Sequence, residues 1–240
     1  MLLFPTESSP FTERTVYKPA ELELMAMDEL RKAGLLPRTP EPIRIEAYVT
    51  KRYNLTPDYS APLPDGVLGL TRFGAKGPTD ILVSKTLGDD LSDVGRRRTN
   101  ATLAHEAGHC LLHGPLFAVS GRVGGGILER GGDSHGADAG IDTSDPSILC
   151  REIGTDVPTY NWVESQANAM IGPLLMPQPL VASLLKIEFG MSLPTPKTGV
   201  ISLSKDDAAT IVRKLSEIFD VNPAVARLRI EKMGFNIPRT

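Results

Sequence analysis

Apolar positions in this chain recur mostly at helical spacing, in stretches separated by short turn-rich breaks, with one pair of strand-like runs between them. Leu22, Met25, Leu30 and Leu35 form a stripe over residues 18–34, with Pro19 suited to a first helical turn and Gly34 to a stop. Residues 36–41 read as a linker, and Ile43, Ile45, Ala47, Tyr48 and Val49 mark a second helix over 42–53. Residues 56–66 are rich in turn formers. Two apolar runs, 67–73 and 79–84, flank Gly74-Ala75-Lys76-Gly77-Pro78 and predict a β-hairpin. Further helices are predicted from Thr99 or Asn100 to a stop at Gly114-Pro115, from about Tyr160 or Trp162 to Pro173, over 179–189 up to Gly190, over 205–219 behind Ser204, and from Pro223 to Gly234. Pro173 should end or kink its helix. Residues 147–153 read as a short strand, and 200–203 as a short apolar stretch with no assigned element. Residues 1–17 show no period and are expected to be a loose arm. Residues 116–146 are glycine-rich and are expected to be an extended loop with room for one short strand at 127–129.

Composition narrows the class. The chain has 240 residues, 41% of them hydrophobic, enough for one sizeable core. A formal net charge of -3 gives no bulk attraction to nucleic acid or to a membrane surface. No apolar run reaches the length of a membrane span. Residues 1–5 lack a basic n-region, so no signal peptide is expected and a cytoplasmic location is. The 2 cysteines, Cys110 and Cys150, are expected to stay reduced there. Cys110 falls with Leu103, Ala107 and Leu111 on an apolar helix side, whereas Cys150 is also open to a metal or redox role.

The chemistry concentrates in His105-Glu106-Ala107-Gly108-His109, an H-E-x-x-H pattern within a predicted helix. Residues four apart lie on one helix face, so His105 and His109 can direct two imidazoles at one ion, and Glu106 can hold a water beside it. A catalytic zinc takes three protein ligands and keeps one position open. Downstream carboxylates that could supply the third are Glu129, Asp133, Asp138, Asp142, Asp145, Glu152, Asp156 and Glu164. Of these only Glu164 lies on a strongly patterned helix, where Ser165 and Ala167 would permit close approach. It reads equally well as a carboxylate complementing that helix's dipole.

Two stretches carry a family resemblance. Residues 102–113, Thr-Leu-Ala-His-Glu-Ala-Gly-His-Cys-Leu-Leu-His, and residues 164–177, Glu-Ser-Gln-Ala-Asn-Ala-Met-Ile-Gly-Pro-Leu-Leu-Met-Pro, resemble in order the two central motifs of the ImmA/IrrE family of zinc peptidases. The likeness extends over residues 20 to 236, including the hairpin before the first motif and Phe219-Asp220-Val221-Asn222-Pro223 before the last helix. It implies an α+β fold: a mostly helical, zincin-like peptidase domain over 18–190, with a small antiparallel sheet, followed by a C-terminal helical subdomain over 191–240. It also implies Zn2+ on His105, His109 and Glu164, with Glu106 as the catalytic acid/base. The position two after the third ligand, often acidic in the family, is Gln166 here. Gly172-Pro173 departs from residues that would continue the helix.

A second electrophile usually assists such chemistry, and the sequence leaves Tyr160, His113 and His135 as candidates. Each has a plainer alternative: His113, one turn past His109, can cap the helix or brace a ligand, and Tyr160 can simply pack. Asn168, one turn after Glu164, can brace a ligand. The hairpin over 67–84 could bind substrate backbone by strand addition if it offers a free edge beside the metal. The expected function is hydrolysis of a peptide bond in a protein or peptide, such as a DNA-binding repressor, linking the chain to stress response or transcription regulation without direct nucleic-acid or membrane binding. The alternative is a non-catalytic, metal-bound regulatory protein of the same family. A DNA-binding role is weaker, because the region from Lys205 onward is only slightly basic.

Overall fold

The computed structural model describes residues 2–5, 13–74, 76–120, 147–151 and 162–238. In chain order these form β1 (Leu2–Pro5), β2 (Glu13–Val16), α1 (Pro19–Lys32), α2 (Ile45–Tyr53), β3 (Asp58–Ala61), β4 (Val67–Gly74), β5 (Gly77–Ser84), α3 (Lys85–Gly88), α4 (Asp93–Leu112), α5 (Gly114–Ser120), β6 (Ser147–Arg151), α6 (Trp162–Leu175), α7 (Gln178–Phe189), β7 (Ile201–Ser202), α8 (Lys205–Phe219), α9 (Pro223–Lys232) and β8 (Phe235–Asn236). The fold is α+β and mostly helical, with a small sheet and C-terminal helices.

The sheet is mixed, not purely antiparallel. Its order is β3-β5-β4-β6. The hairpin β4–β5 and the pair β4–β6 are antiparallel, whereas β3 lies parallel to β5. At four residues, β3 is too short to reveal a period, and the sequence shows only turn formers around it. β4 is paired on both sides, with β5 and β6, and so offers no edge for substrate, whereas β3 pairs with β5 only from Leu82 to Ser84 and leaves the rest of that side of β5 unpaired among the described residues.

The supposed loose arm contains two strands, β1 and β2, paired antiparallel with Leu2 opposite Val16 and Pro5 opposite Glu13. Thr15 is buried. A two-stranded ribbon of four residues a side has too few positions to show alternation in sequence. Part of the expected 116–146 loop also differs, since Gly114–Ser120 is helical. Residues 121–146 lie outside the described residues, as do Tyr160 and His135.

Helix α4 is the centre of the molecule. It starts earlier than its apolar pattern indicates, capped at Ser92, whose Oγ accepts from the Gly95 N–H at 3.0 Å, and not at Thr99 or Asn100. Arg96, Arg97 and Arg98 thus lie inside the helix. Arg96 Nε and Nη2 reach both carboxylate oxygens of Asp220 at 2.7 and 2.8 Å, and Arg97 Nε adds a third bond at 3.0 Å. Asp220 ends α8 at φ 50°, so these arginines brace a left-handed helix end. Residues 102–110 of α4 are buried all round. β4 and β5, α2 and α6 cover its different sides. The helix face that carries His105 and His109 is consequently an enclosed one.

Helix α6 runs two residues past Pro173, and Met176 N–H still reaches Gly172 O at 2.8 Å. The turn of direction comes at Pro177, where α6 and α7 meet at 51°. Gly172 has a separate cause: a Cβ there would lie 2.9 Å from Arg229 Cδ. The Arg229 guanidinium bonds Met176 O and pairs with Glu23, tying α9 to α6 and α1. One apolar core runs from Leu22 through Tyr48, Leu103, Met170, Leu185 and Leu215 to Phe235. Among the described residues no single helix is long and apolar enough to cross a membrane.

Candidate metal centre

The site is assembled where α4 and α6 cross. His105 and His109 stand one turn apart on α4, with their Nε2 atoms 2.8 Å from each other. Glu164, in the first turn of α6, faces both: Oε2 is 3.2 Å from His105 Nε2 and Oε1 is 3.2 Å from His109 Nε2. Ligand atoms of all three lie within 4.8 Å of one another, and together they could hold a metal ion. Close crossing makes this possible. A Cβ on Gly108 would stand 3.1 Å from Met170 Cβ and 3.2 Å from Ala167 Cα. Ala167 thus plays the part expected of it, whereas Ser165 is exposed. The matching small residue on α4, Gly108, was open to recognition only as the one residue of the motif without a side chain.

Electrostatics suit a cation. Burial pushes His109 down to about 4, so its ring is neutral near pH 7. Burial alone would raise Glu164, but the hydrogen bonds and charge of the two histidines outweigh it and hold the carboxyl at about 2. His105 Nδ1 lies 3.0 Å from Asn168 Oδ1, an acceptor that takes the Nδ1 proton and directs Nε2 inward. Two imidazole nitrogens and one ionised carboxylate, aimed at one point and steadied from outside, form a nitrogen and oxygen donor set for a divalent ion. Other downstream carboxylates considered from the sequence lie outside the described residues.

Glu106 points elsewhere, toward the sheet. It is fully buried. Its Oε2 accepts from Thr71 Oγ1 at 2.5 Å, and its Oε1 has no hydrogen-bond partner among the described residues. Burial, only partly offset by His105 and the Thr71 bond, pushes the carboxyl up to about 7. Such a group exchanges a proton readily near neutrality. Strand β4 makes the room: a Cβ on Gly69 would fall 2.5 Å from Glu106 Oε1. Gly69 and Thr71 are two apart and so share one sheet face. Sequence reading missed both, since an isolated Gly-x-Thr in a strand is a weak signal.

Apart from His135, which lies outside the described residues, three supporting residues were considered, and two of them, His113 and Asn168, stand beside the site. His113 Nδ1 lies 3.1 Å from His109 Nδ1, and its Nε2 lies 3.1 Å from Gln166 Oε1. Its ring also meets Trp162 edge-on at 5.6 Å between centroids. Burial drives His113 down to about 3. Gln166 Nε2 donates to the backbone carbonyl of Thr15 in β2. Tyr160, the third, is outside the described residues. Cys110 is buried, and burial pushes its thiol well above the ordinary range, as expected of a core residue. Comparison with protein-family models, with curated proteins and with solved structures finds no match to this chain.

Proposed function

We propose that this chain is a zinc-dependent endopeptidase that cleaves a regulatory protein, such as a DNA-binding repressor, in the cytoplasm. One observation carries the reading: His105, His109 and Glu164 converge within 4.8 Å beside a buried Glu106 that has one oxygen unpartnered among the described residues. His105, His109 and Glu164 would hold the ion. When bound, zinc supplies an acidified water and a Lewis acid for the peptide carbonyl. Glu106, poised near neutrality, accepts the proton of the attacking water and returns it to the leaving amine. Thr71 fixes one oxygen of that carboxylate and leaves the other to work. The likeness of residues 102–113 and 164–177 to the ImmA/IrrE motifs supports the substrate class.

A non-catalytic, metal-bound regulator is the second reading, and the sheet favours it. The strand backing Glu106, β4, is paired with β5 and β6, so a peptide cannot add to it while β6 is in place. One pair of measurements decides between the two. Metal is quantified in the purified protein, and wild type is compared with Glu106→Gln for cleavage of a repressor co-expressed from a neighbouring gene. Stoichiometric zinc in both, with cleavage lost in the variant, supports the peptidase. Cleavage that survives the substitution overturns the role of Glu106, and zinc-loaded wild type that cleaves nothing supports the regulator.

A further inference from the structure

We infer that the N-terminal strand β2 selects the metal-binding tautomer of His109, through a chain of hydrogen bonds in which Gln166 is the positioning residue. This rests on the reading of His105, His109 and Glu164 as metal ligands. The chain has four members: His109 Nδ1 to His113 Nδ1 at 3.1 Å, His113 Nε2 to Gln166 Oε1 at 3.1 Å, and Gln166 Nε2 to the Thr15 carbonyl.

The direction of every link follows from its far end. A backbone carbonyl only accepts, so the Gln166 amide nitrogen must face Thr15 O, and Gln166 Oε1 must face His113. That oxygen also only accepts, so His113 Nε2 carries the ring proton. A neutral His113 then has a bare Nδ1, and the only proton that can occupy the 3.1 Å gap to His109 sits on His109 Nδ1. His109 Nε2 is left as a lone pair, pointing at Glu164 and the metal position. In the reverse tautomer, His109 would present an N–H to the metal, and two acceptors would face each other somewhere along the chain. Reversing Gln166 to relieve this would set its oxygen against Thr15 O. His109 and His113 are 0% exposed and Thr15 2%, whereas Gln166 is half-buried. Water therefore cannot cheaply repair a mismatch.

Linkage follows. Docking of β2 favours the ring state that binds metal, so bound metal favours docking of β2 by the same factor. The residues that Gln166 serves also explain its identity. A glutamate at 166 would still accept from His113, but it has no N–H for the Thr15 carbonyl. Only an amide continues the chain into the arm.

The test uses the full-length protein in three forms, wild type, Gln166→Glu and Gln166→Leu. Histidine tautomers are read from 15N shifts in metal-free protein, zinc affinity by competition with a chromophoric chelator, and β2 docking by amide hydrogen exchange. Wild type should show His109 as Nδ1–H and His113 as Nε2–H. Gln166→Glu should keep both tautomers and bind zinc within about threefold of wild type, but lose protection in residues 13–16. Gln166→Leu should lose the tautomer preference and that protection, and bind zinc about 10- to 100-fold more weakly. A wild-type His109 protonated at Nε2, or a Gln166→Leu protein with wild-type tautomers and affinity, overturns the inference. Wild-type protein with the expected tautomers but no uptake of zinc overturns the metal reading, and with it the coupling to metal.

Discussion

Glu106, His109 and His113 make opposite demands on the metal-free protein as pH changes. His109 and His113 fall from an ordinary 6.5 to about 4 and about 3 on burial. Their contribution to stability is present above pH 6.5 and is lost on acidification, because the unfolded chain takes up two protons that the native state refuses. Glu106 rises from 4.5 to about 7, so its contribution is present below pH 4.5 and is lost as pH rises to about 7. Between pH 6.5 and 4.5 two groups oppose one. Metal-free protein should therefore lose on the order of 3 kcal/mol on acidification across that range. Glu106→Gln removes the opposing group, so denaturant titrations at the two pH values should show a steeper loss in that variant. Gly69→Ala tests the other constraint on Glu106. The new methyl would press on Oε1 at 2.5 Å and on Thr102 Cγ2 at 2.7 Å. We expect the proposed peptidase activity to fall at least about tenfold with metal content unchanged, at a stability cost of about 1–3 kcal/mol. Unchanged turnover would mean that Glu106 does not act from this position. The ligand pair His105 and His109 was legible in the sequence because helical spacing alone places two imidazoles together. Gly69, Thr71 and Thr15 were not, because each reaches the site through the packing of a separate element, which leaves no periodic trace.

The crossing of α4 and α6 brings the three candidate ligands together. His105 and His109 ride on one helix and Glu164 on the other, so a change in spacing between the axes opens the set. Gly108→Val should push the helices apart at Met170 and Ala167. The expected result is zinc affinity at least tenfold weaker, with a loss of about 1–3 kcal/mol in global stability. Retention of full affinity would show that the ligands adapt independently of the helices. Helix positions were largely readable, since α1, α2, α7, α8 and α9 have apolar stripes and clear end signals. Where sequence and structure diverge, each divergence has its own physical reason. α4 extends back to Ser92 because Arg96 and Arg97 are held by Asp220, a partner far along the chain. α6 passes Pro173 because the proline removes a single backbone donor, and the bond from Met176 N–H to Gly172 O keeps the following turn helical.

At the scale of the whole molecule, the C-terminal helices and the site share one core. Arg229, 4% exposed, is a buried polar tie between them beside the Arg96 and Arg97 bonds to Asp220, joining α9 to the carbonyl of Met176 just past α6 and to Glu23 on α1. Arg229→Ala would leave that carboxylate and carbonyl without their donor. Urea unfolding should show a loss of about 3–5 kcal/mol. A loss below about 1 kcal/mol would mean that water reaches both groups. Neither the buried role of Arg229 nor the reason for Gly172 can be read from the sequence, because an arginine on a helix ordinarily reads as a solvated one. Finally, Cys110 sits in the middle of α4, buried and with its thiol kept protonated. A thiol in that state does not react with alkylating or disulfide reagents until the helix is uncovered. With Cys150 replaced by serine, labelling of Cys110 becomes a clock for the opening of the core around the metal ligands. Its rate, followed with and without added zinc, measures the free energy by which an ion at the candidate site would hold the molecule shut.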